Sequence, residues 1–366
     1  MIGRQKHTWT YRVFALLVLL SFALFLIINY LIWTFFTKDL VMAEAQARDL
    51  VRLSYLVKIA QERKTWIDLP KRHIEIGAFK GGRVDMVTVG DSFSVGAGGG
   101  RNNFYQDYIA TINNYVVVNI IPFADKNRVG LLTPVNTLAI LYNSGYLDRI
   151  KPRYVLLESA ERYIPERFIN GFKFDDTMPL DKLVALLATR DAVKHESKNE
   201  DTIFINTGNF KFIYYNIKDL FPVKKINNKI YKMVLKHKVF SGRYGDRLYY
   251  SFEEQSYRHY ITKDSVRKIN DNLNLIAEKL AEKNIKLVFM PIVDRSNLYD
   301  DSAVSPRKTS IFFEELRSLP KRYQLIDTKD ILLKEVHKGE KDIYFIDDTH
   351  WSWKAPEKIF ENTRFD

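Results

Sequence analysis

The chain has 366 residues, 46% of them hydrophobic, and no cysteine. That length suits one large domain or two modest ones with a packed core, and the missing thiols exclude disulfides, cysteine-ligated zinc and a cysteine nucleophile. The net charge of +12 is scattered among acidic residues rather than gathered into a stripe, which argues against nucleic acid and fits attraction to anionic lipid or polymer.

Residues 13–36 are apolar apart from Ser21, Asn29, Tyr30, Trp33 and Thr34, and about 20 such residues cross a bilayer core. Trp9 and Tyr11 flank one end and Tyr30 and Trp33 the other, as interfacial aromatics do. Arg4, Lys6 and Arg12 precede the run, whereas Lys38 is answered by Asp39. The positive-inside rule therefore predicts a cytoplasmic segment 1–12, a single transmembrane helix 13–36, and everything beyond it on the periplasmic or extracellular side of the cytoplasmic membrane. A cleaved signal peptide is the alternative, but the run is longer than a usual h-region and ends without a small-residue cleavage site.

Residues 38–63 are rich in Ala, Leu, Glu, Arg and Gln, with no Gly or Pro, which predicts a helical stalk. The stretch 69–82, with Pro70, Gly77, Gly81 and Gly82, reads as a loop, so stalk and linker together occupy 37–82. From 83 to 366 strands and helices alternate. Predicted strands are 84–89, 115–121, 152–157, 285–290 (stopped by Pro291) and 323–326. Predicted helices are 105–112, 134–146, 262–283 and one starting at Phe312; in the third, Val266, Ile269, Leu273, Ile276 and Leu280 step by three and four. Continuous apolar strands between helices predict an α/β domain with a mainly parallel sheet covered on both faces. Residues 170–260, dense in Lys, Asn, Tyr and Phe, read as an insertion packed on that domain, either overhanging its site or a plain excursion.

Gly90-Asp91-Ser92-Phe93-Ser94 follows the first strand of the domain. A sharp turn there lifts the Ser92 hydroxyl out of the sheet at the carboxyl end of a strand, where reactive groups of open α/β sheets collect. A serine needs an adjacent base to become a useful nucleophile. Of the seven histidines, His350 alone follows an acidic pair and precedes tryptophans, in Asp347-Asp348-Thr349-His350-Trp351. Asp347 or Asp348 would orient its ring and stabilise the imidazolium. Gly96, Gly98, Gly99 and Gly100 lack the Gly-Lys-Ser/Thr ending of a phosphate loop and read as backbone freedom beside Ser92. Trp351 and Trp353 are either sugar platforms or core. No histidine and carboxylate spacing predicts a metal site, and no cofactor is expected.

These two motifs, in this order, resemble the GDSL/SGNH hydrolase superfamily. Ile343-Tyr344-Phe345-Ile346-Asp347-Asp348-Thr349-His350-Trp351-Ser352 and Leu157-Glu158-Ser159-Ala160-Glu161-Arg162-Tyr163 are similar to segments of its alginate O-acetyltransferase-like branch. The resemblance covers roughly 84–366, with 170–260 least matched. It implies a three-layer SGNH-like domain with Ser92 as nucleophile, His350 as base and Asp348 as acid; the wider superfamily's spacing would select Asp347. It also implies that Gly130 joins the Ser92 N–H in the oxyanion hole. The asparagine expected after the third strand is missing, and Glu158 to Arg162 stand there. Glu158 and Arg162 are thus oxyanion or substrate candidates, or Arg162 pairs with Glu158 or Glu161. The implied activity is extracytoplasmic O-acetylation of a cell-surface or secreted polysaccharide. Acetyl-CoA is cytoplasmic and one span cannot carry acetyl groups across, so a multi-span membrane acyltransferase partner would deliver them. The alternatives are a carbohydrate acetylesterase with the same Ser-His-Asp groups and a non-catalytic scaffold of a polysaccharide export assembly.

Overall fold

The structure, a computed structural model, describes residues 2–38, 40, 48–64, 67–123, 132–170, 172–189, 203–305 and 309–365. Its strands are β1 (Ile74–Glu75), β2 (Met86–Val89), β3 (Val117–Ile120), β4 (Tyr154–Ala160), β5 (Ile230–Val234), β6 (Arg247–Ser251), β7 (Lys286–Ile292) and β8 (Gln324–Leu325). Six of them form a sheet in the order β1-β3-β2-β4-β7-β8, every pairing parallel. β5 and β6 make a separate antiparallel hairpin. All residues of β2, β3 and β4 are buried. A sheet with one wet face would alternate, so this one is covered on both sides, as the apolar runs predicted.

The order fixes where the sheet can work. The chain leaves β2 through the helix Tyr105–Asn113 to form β3 on one side. It then passes through Pro134–Asn143 and Tyr146–Ile150 to form β4 on the other side of β2. The carboxyl end of β2 is therefore the switch point, where ligands of such sheets bind.

Most predicted elements form near their expected places. Pro291 does not stop its strand: β7 runs on to Ile292, still paired with β4. β8 pairs only with Val288 and Phe289, so the proline lies where no neighbour on that side needs its N–H. The helix predicted over 134–146 breaks at Gly145, which has φ 77°. The short edge strand β1 arises within the predicted loop.

The predicted stalk differs more. From Arg48 onward it has a helix over Asp49–Ser54 and a 3-10 turn over Val57–Ile59. Arg48 and Tyr55, both left-handed, bound that helix. Leu50, Val51, Leu56 and Ile59 are buried in the domain core, so burial overrides the helix propensity of an isolated segment. Residues 41–47 lie outside the described residues. The 170–260 region contributes Leu183, Ile226, Ile230, Leu248 and Tyr249 to that same core, and its hairpin packs on Asp49–Ser54.

At the N-terminus a helix runs from Ile2 to Ile32 and continues as a wider turn over Trp33–Thr37. Trp9–Thr37 is long and apolar enough to cross a membrane, and most of it is exposed.

Candidate active site

Gly90 ends β2 because nothing larger fits. A Cβ there would sit 2.1 Å from Ser94 Oγ and 2.2 Å from Glu158 Oε2. Asp91 then pins the turn: its carboxylate accepts the Ala160 N–H at 2.9 Å and Arg167 Nη1 at 2.6 Å. Burial pushes the Asp91 pKa up, but Arg167 and the Ala160 N–H outweigh it and hold the group at about 2. Below the turn, Asn119 and Gln106 both donate to the Ser94 carbonyl, at 3.0 and 2.9 Å. The loop carrying Ser92 is thus held by a network of buried polar groups, in which only Gln106 Oε1 and Glu158 Oε1 lack a partner among the described residues.

Glu158 belongs to this floor rather than to a substrate face. It is fully buried, and its Oε2 accepts the Asp91 N–H at 2.8 Å and the Ser94 hydroxyl at 3.1 Å. Burial and the neighbouring Asp91 charge push its pKa well up.

His350 reaches Ser92 from the far end of the chain, 258 positions away, with Nε2 2.8 Å from Ser92 Oγ. Its Nδ1 is 2.6 Å from Asp348 Oδ1. The carboxylate takes the Nδ1–H, which leaves Nε2 with a lone pair aimed at the serine hydroxyl. Burial lowers the His350 pKa, but the charge and hydrogen bond of Asp348 more than offset this, and the net shift is upward. Burial likewise raises Asp348, but His350 and then Arg63 reverse it and the net shift is downward.

The carboxylate that meets the imidazole is therefore that of Asp348. Asp347 turns to Arg63, whose Nη1 lies 2.8 and 3.0 Å from its two oxygens, and accepts the Gln61 N–H at 2.7 Å. Arg63 also donates from Nε to the Gly98 carbonyl at 2.6 Å and covers the Phe345 ring at 3.9 Å. Gly98 has φ 96°, and a Cβ there would meet His350 Cβ at 2.9 Å. This glycine is required by close packing on the histidine.

The far oxygen of Asp348 accepts the Arg48 N–H, the Asp49 N–H at 3.4 Å and Arg63 Nη2 at 3.4 Å. Asp49 binds the Thr349 N–H at 2.8 Å and the Thr349 hydroxyl. Burial, then the charge of Asp348, pushes Asp49 up to about 6. Asp49, Asp348 and His350 bring possible metal-ligand atoms within 4.8 Å of one another, a grouping that sequence spacing did not predict. Asp348 and Asp49 are already committed to the imidazole and to Thr349, so the donor set fits a hydrogen-bonded relay better than an ion. Below the loop, fully buried Arg295 donates from Nη1 to the carbonyls of Phe345 and Asp348, both at 2.6 Å. Sequence reasoning missed Asp49, Arg63 and Arg295. No local motif marks them, because each meets the site from another segment.

The remaining candidates divide. Arg162 pairs with Asp294 rather than with Glu158 or Glu161, and its guanidinium lies over Tyr163 at 5.1 Å. Its charge pushes the His350 pKa down, against Asp348. Glu161 instead receives the Asp294 N–H at 3.1 Å and Asn297 Nδ2 at 2.8 Å. Trp351 is 3% exposed and stands edge-on to Phe93 at 4.9 Å, so it is core and no sugar platform. Trp353 is half-buried beside a cavity of about 330 Å³. Gly130 lies outside the described residues. Among the described residues none engages the Ser92 N–H, which leaves that donor for a developing oxyanion.

The family model described as SGNH hydrolase-like domain, acetyltransferase AlgX, matches residues 248–358. The match begins in β6 and ends in the last helix, so it contains Asp348 and His350 while Ser92 lies before it. The α/β domain is SGNH-like, as its motifs predicted. No curated protein and no solved structure matches the chain.

Proposed function

We propose that this chain is a membrane-anchored O-acyltransferase that acetylates a cell-surface or secreted polysaccharide through a serine acyl-enzyme. The observation that carries this reading is the hydrogen-bonded chain from Asp348 through His350 to Ser92, with links of 2.6 and 2.8 Å. The acetyltransferase family match over the His350 half supports it.

Ser92 Oγ attacks the acyl carbonyl of a donor while its proton passes to His350 Nε2. The imidazolium so formed is held by Asp348. The carbonyl oxygen, now negative, faces the Ser92 N–H. Collapse expels the donor's alcohol or thiol, which takes the proton back from Nε2. A sugar hydroxyl then enters, gives its proton to Nε2, and attacks the acyl-serine. The second collapse returns that proton to Ser92 and leaves the acyl group on the glycan.

The basic flank before the apolar helix supports an N-terminus in the cytoplasm and a domain outside it. A single span then leaves acetyl delivery to a multi-span membrane acyltransferase. The test uses the full chain in detergent with an activated acetyl ester and an oligosaccharide acceptor. Expected are fluorophosphonate labelling of Ser92 and acetylated glycan by mass spectrometry, both lost in Ser92→Ala. Acetate released without glycan acetylation would identify an esterase. Unlabelled Ser92 with intact glycan binding would identify a scaffold.

A further inference from the structure

The helix Thr207–Lys218 opens on an Asn206 cap whose side chain accepts the Gly208 and Asn209 N–H groups. Its first turn is joined to the apolar N-terminal helix. Asn209 Nδ2 lies 3.0 Å from Asn29 Oδ1, and its Oδ1 accepts the Thr37 hydroxyl at 2.6 Å. Phe212 stacks on Phe36 at 4.9 Å, and Phe210 approaches Phe25 at 6.3 Å.

The rest of this helix surface is largely exposed, with Phe210 at its edge against the N-terminal helix. Phe210, Ile213, Tyr214 and Ile217 are spaced by three, one and three, which is one helix face. They are 52, 39, 61 and 53% exposed, and Leu220 and Phe221 follow at 76 and 58%. The row runs on into the lining of a cavity of about 800 Å³ that also includes Val223, Met233 and Tyr250. A contiguous apolar patch of this kind marks an interaction site. Lys211, Lys224, Lys225 and Lys229 are exposed close by in sequence.

We propose, building on the anchored reading above, that the segment from Thr207 to Phe221 lies in the bilayer interface, with its apolar row in the lipid on the side of the catalytic domain. Continuity with the span argues for lipid over other occupants. Trp9–Thr37 has 29 residues, about 43 Å of helix at 1.5 Å each, against a hydrocarbon core of about 30 Å. A core entered at Tyr11 is crossed by about Tyr30. Asn29, Phe36 and Thr37, which hold Thr207–Lys218, then sit at headgroup depth. A helix fixed there with an apolar outer face and lysines nearby fits an interfacial helix, its cations suited to anionic lipid.

The chain has no cysteine, so single thiols report cleanly. Ile213→Cys, Ile217→Cys and Leu220→Cys are labelled with bimane in the full chain, in phosphatidylcholine–phosphatidylglycerol vesicles. Leu19→Cys reports the span and Lys268→Cys, exposed on the helix Lys263–Ala281, reports water. Spin-labelled lipid is expected to quench the three segment labels about twofold or more beyond Lys268→Cys, and iodide to quench them less. Iodide access without lipid quenching overturns the proposal. Protection from both also overturns it, since a second copy or another protein then covers the face. If Leu19→Cys is quenched by lipid and the segment is not, the interfacial helix fails while the anchor stands. If neither is quenched, the anchor fails with it.

Discussion

Arg63 takes Asp347 as its main partner, gripping both carboxylate oxygens with Nη1 at 2.8 and 3.0 Å. The same guanidinium holds the Gly98 carbonyl, so one side chain ties the acid pair to the loop that carries Ser92. Arg63→Met removes the nearer cation from buried Asp347, leaving it only the Gln61 N–H and the more exposed Arg48 at 3.6 Å, and should cost about 3 kcal/mol. Arg63→Lys keeps the charge but loses the planar fork and should fall between the two. Thermal unfolding of the full chain in detergent checks the order; three equal melting temperatures would refute it.

Asp348→Asn removes the charge that stabilises the imidazolium. Turnover should drop about 10⁴-fold. The pH dependence gives the sign. In the proposed reaction His350 acts as a base only when neutral, and its pKa stands above the ordinary 6.5. Wild-type activity therefore rises with pH to a midpoint above that value. In Asp348→Asn burial is left less opposed, and the midpoint of the residual rate should move to lower pH. A profile with an unmoved midpoint contradicts the role given to Asp348.

Gly98→Ala places a methyl 2.9 Å from His350 Cβ at a φ of 96°. Backbone strain of about 1–3 kcal/mol is expected. The larger effect should be on rate, about 10²-fold, because the histidine must shift away from Ser92. Steady-state kinetics beside a melting curve separate the two, and a large loss of stability with unchanged turnover would count against this packing.

His73 reports on the sheet edge. Its ring bridges Asp107 at 2.7 Å and Glu75 of β1 at 3.0 Å. Burial lowers its pKa, but the two carboxylates prevail and lift it to about 9 from 6.5. A raised base pKa stabilises the fold fully below pH 6.5, and that contribution fades as pH rises to about 9. The difference corresponds to about 3 kcal/mol. His73→Gln should abolish this part of the loss between pH 6.5 and 9, measured by denaturant unfolding at both values. Parallel losses in both proteins would show that His73 is not the group responsible.

How far the sequence could be read follows from where its information is local. Ser92 and His350 stand in short motifs, and their meeting needed only the parallel sheet that the apolar runs predicted. Asp347 and Asp348 are adjacent, so only side-chain direction distinguishes them. Asp49, Arg63 and Arg295 come from segments that no periodicity links to residues 345–350. Beyond Ser54 the chain leaves the helix that Ala, Leu, Glu and Arg favour locally, because burial of Leu50, Val51, Leu56 and Ile59 is decided by partners far along the chain. Trp351 was ambiguous for a similar reason, since a tryptophan beside a histidine serves equally as platform or packing until Phe93 is seen against it.

The bond from the Arg48 N–H to Asp348 also sets a leash. Thr37, fastened beside the end of the apolar helix, stands only eleven positions before Arg48, and a fully stretched chain of that length reaches at most about 40 Å. Wherever the apolar helix is held, the serine's chemistry is confined to a thin layer above that point. On the function proposed above, a polymer would have to be brought down to this height to be acylated, which favours strands still emerging from the cell over those that have drifted free.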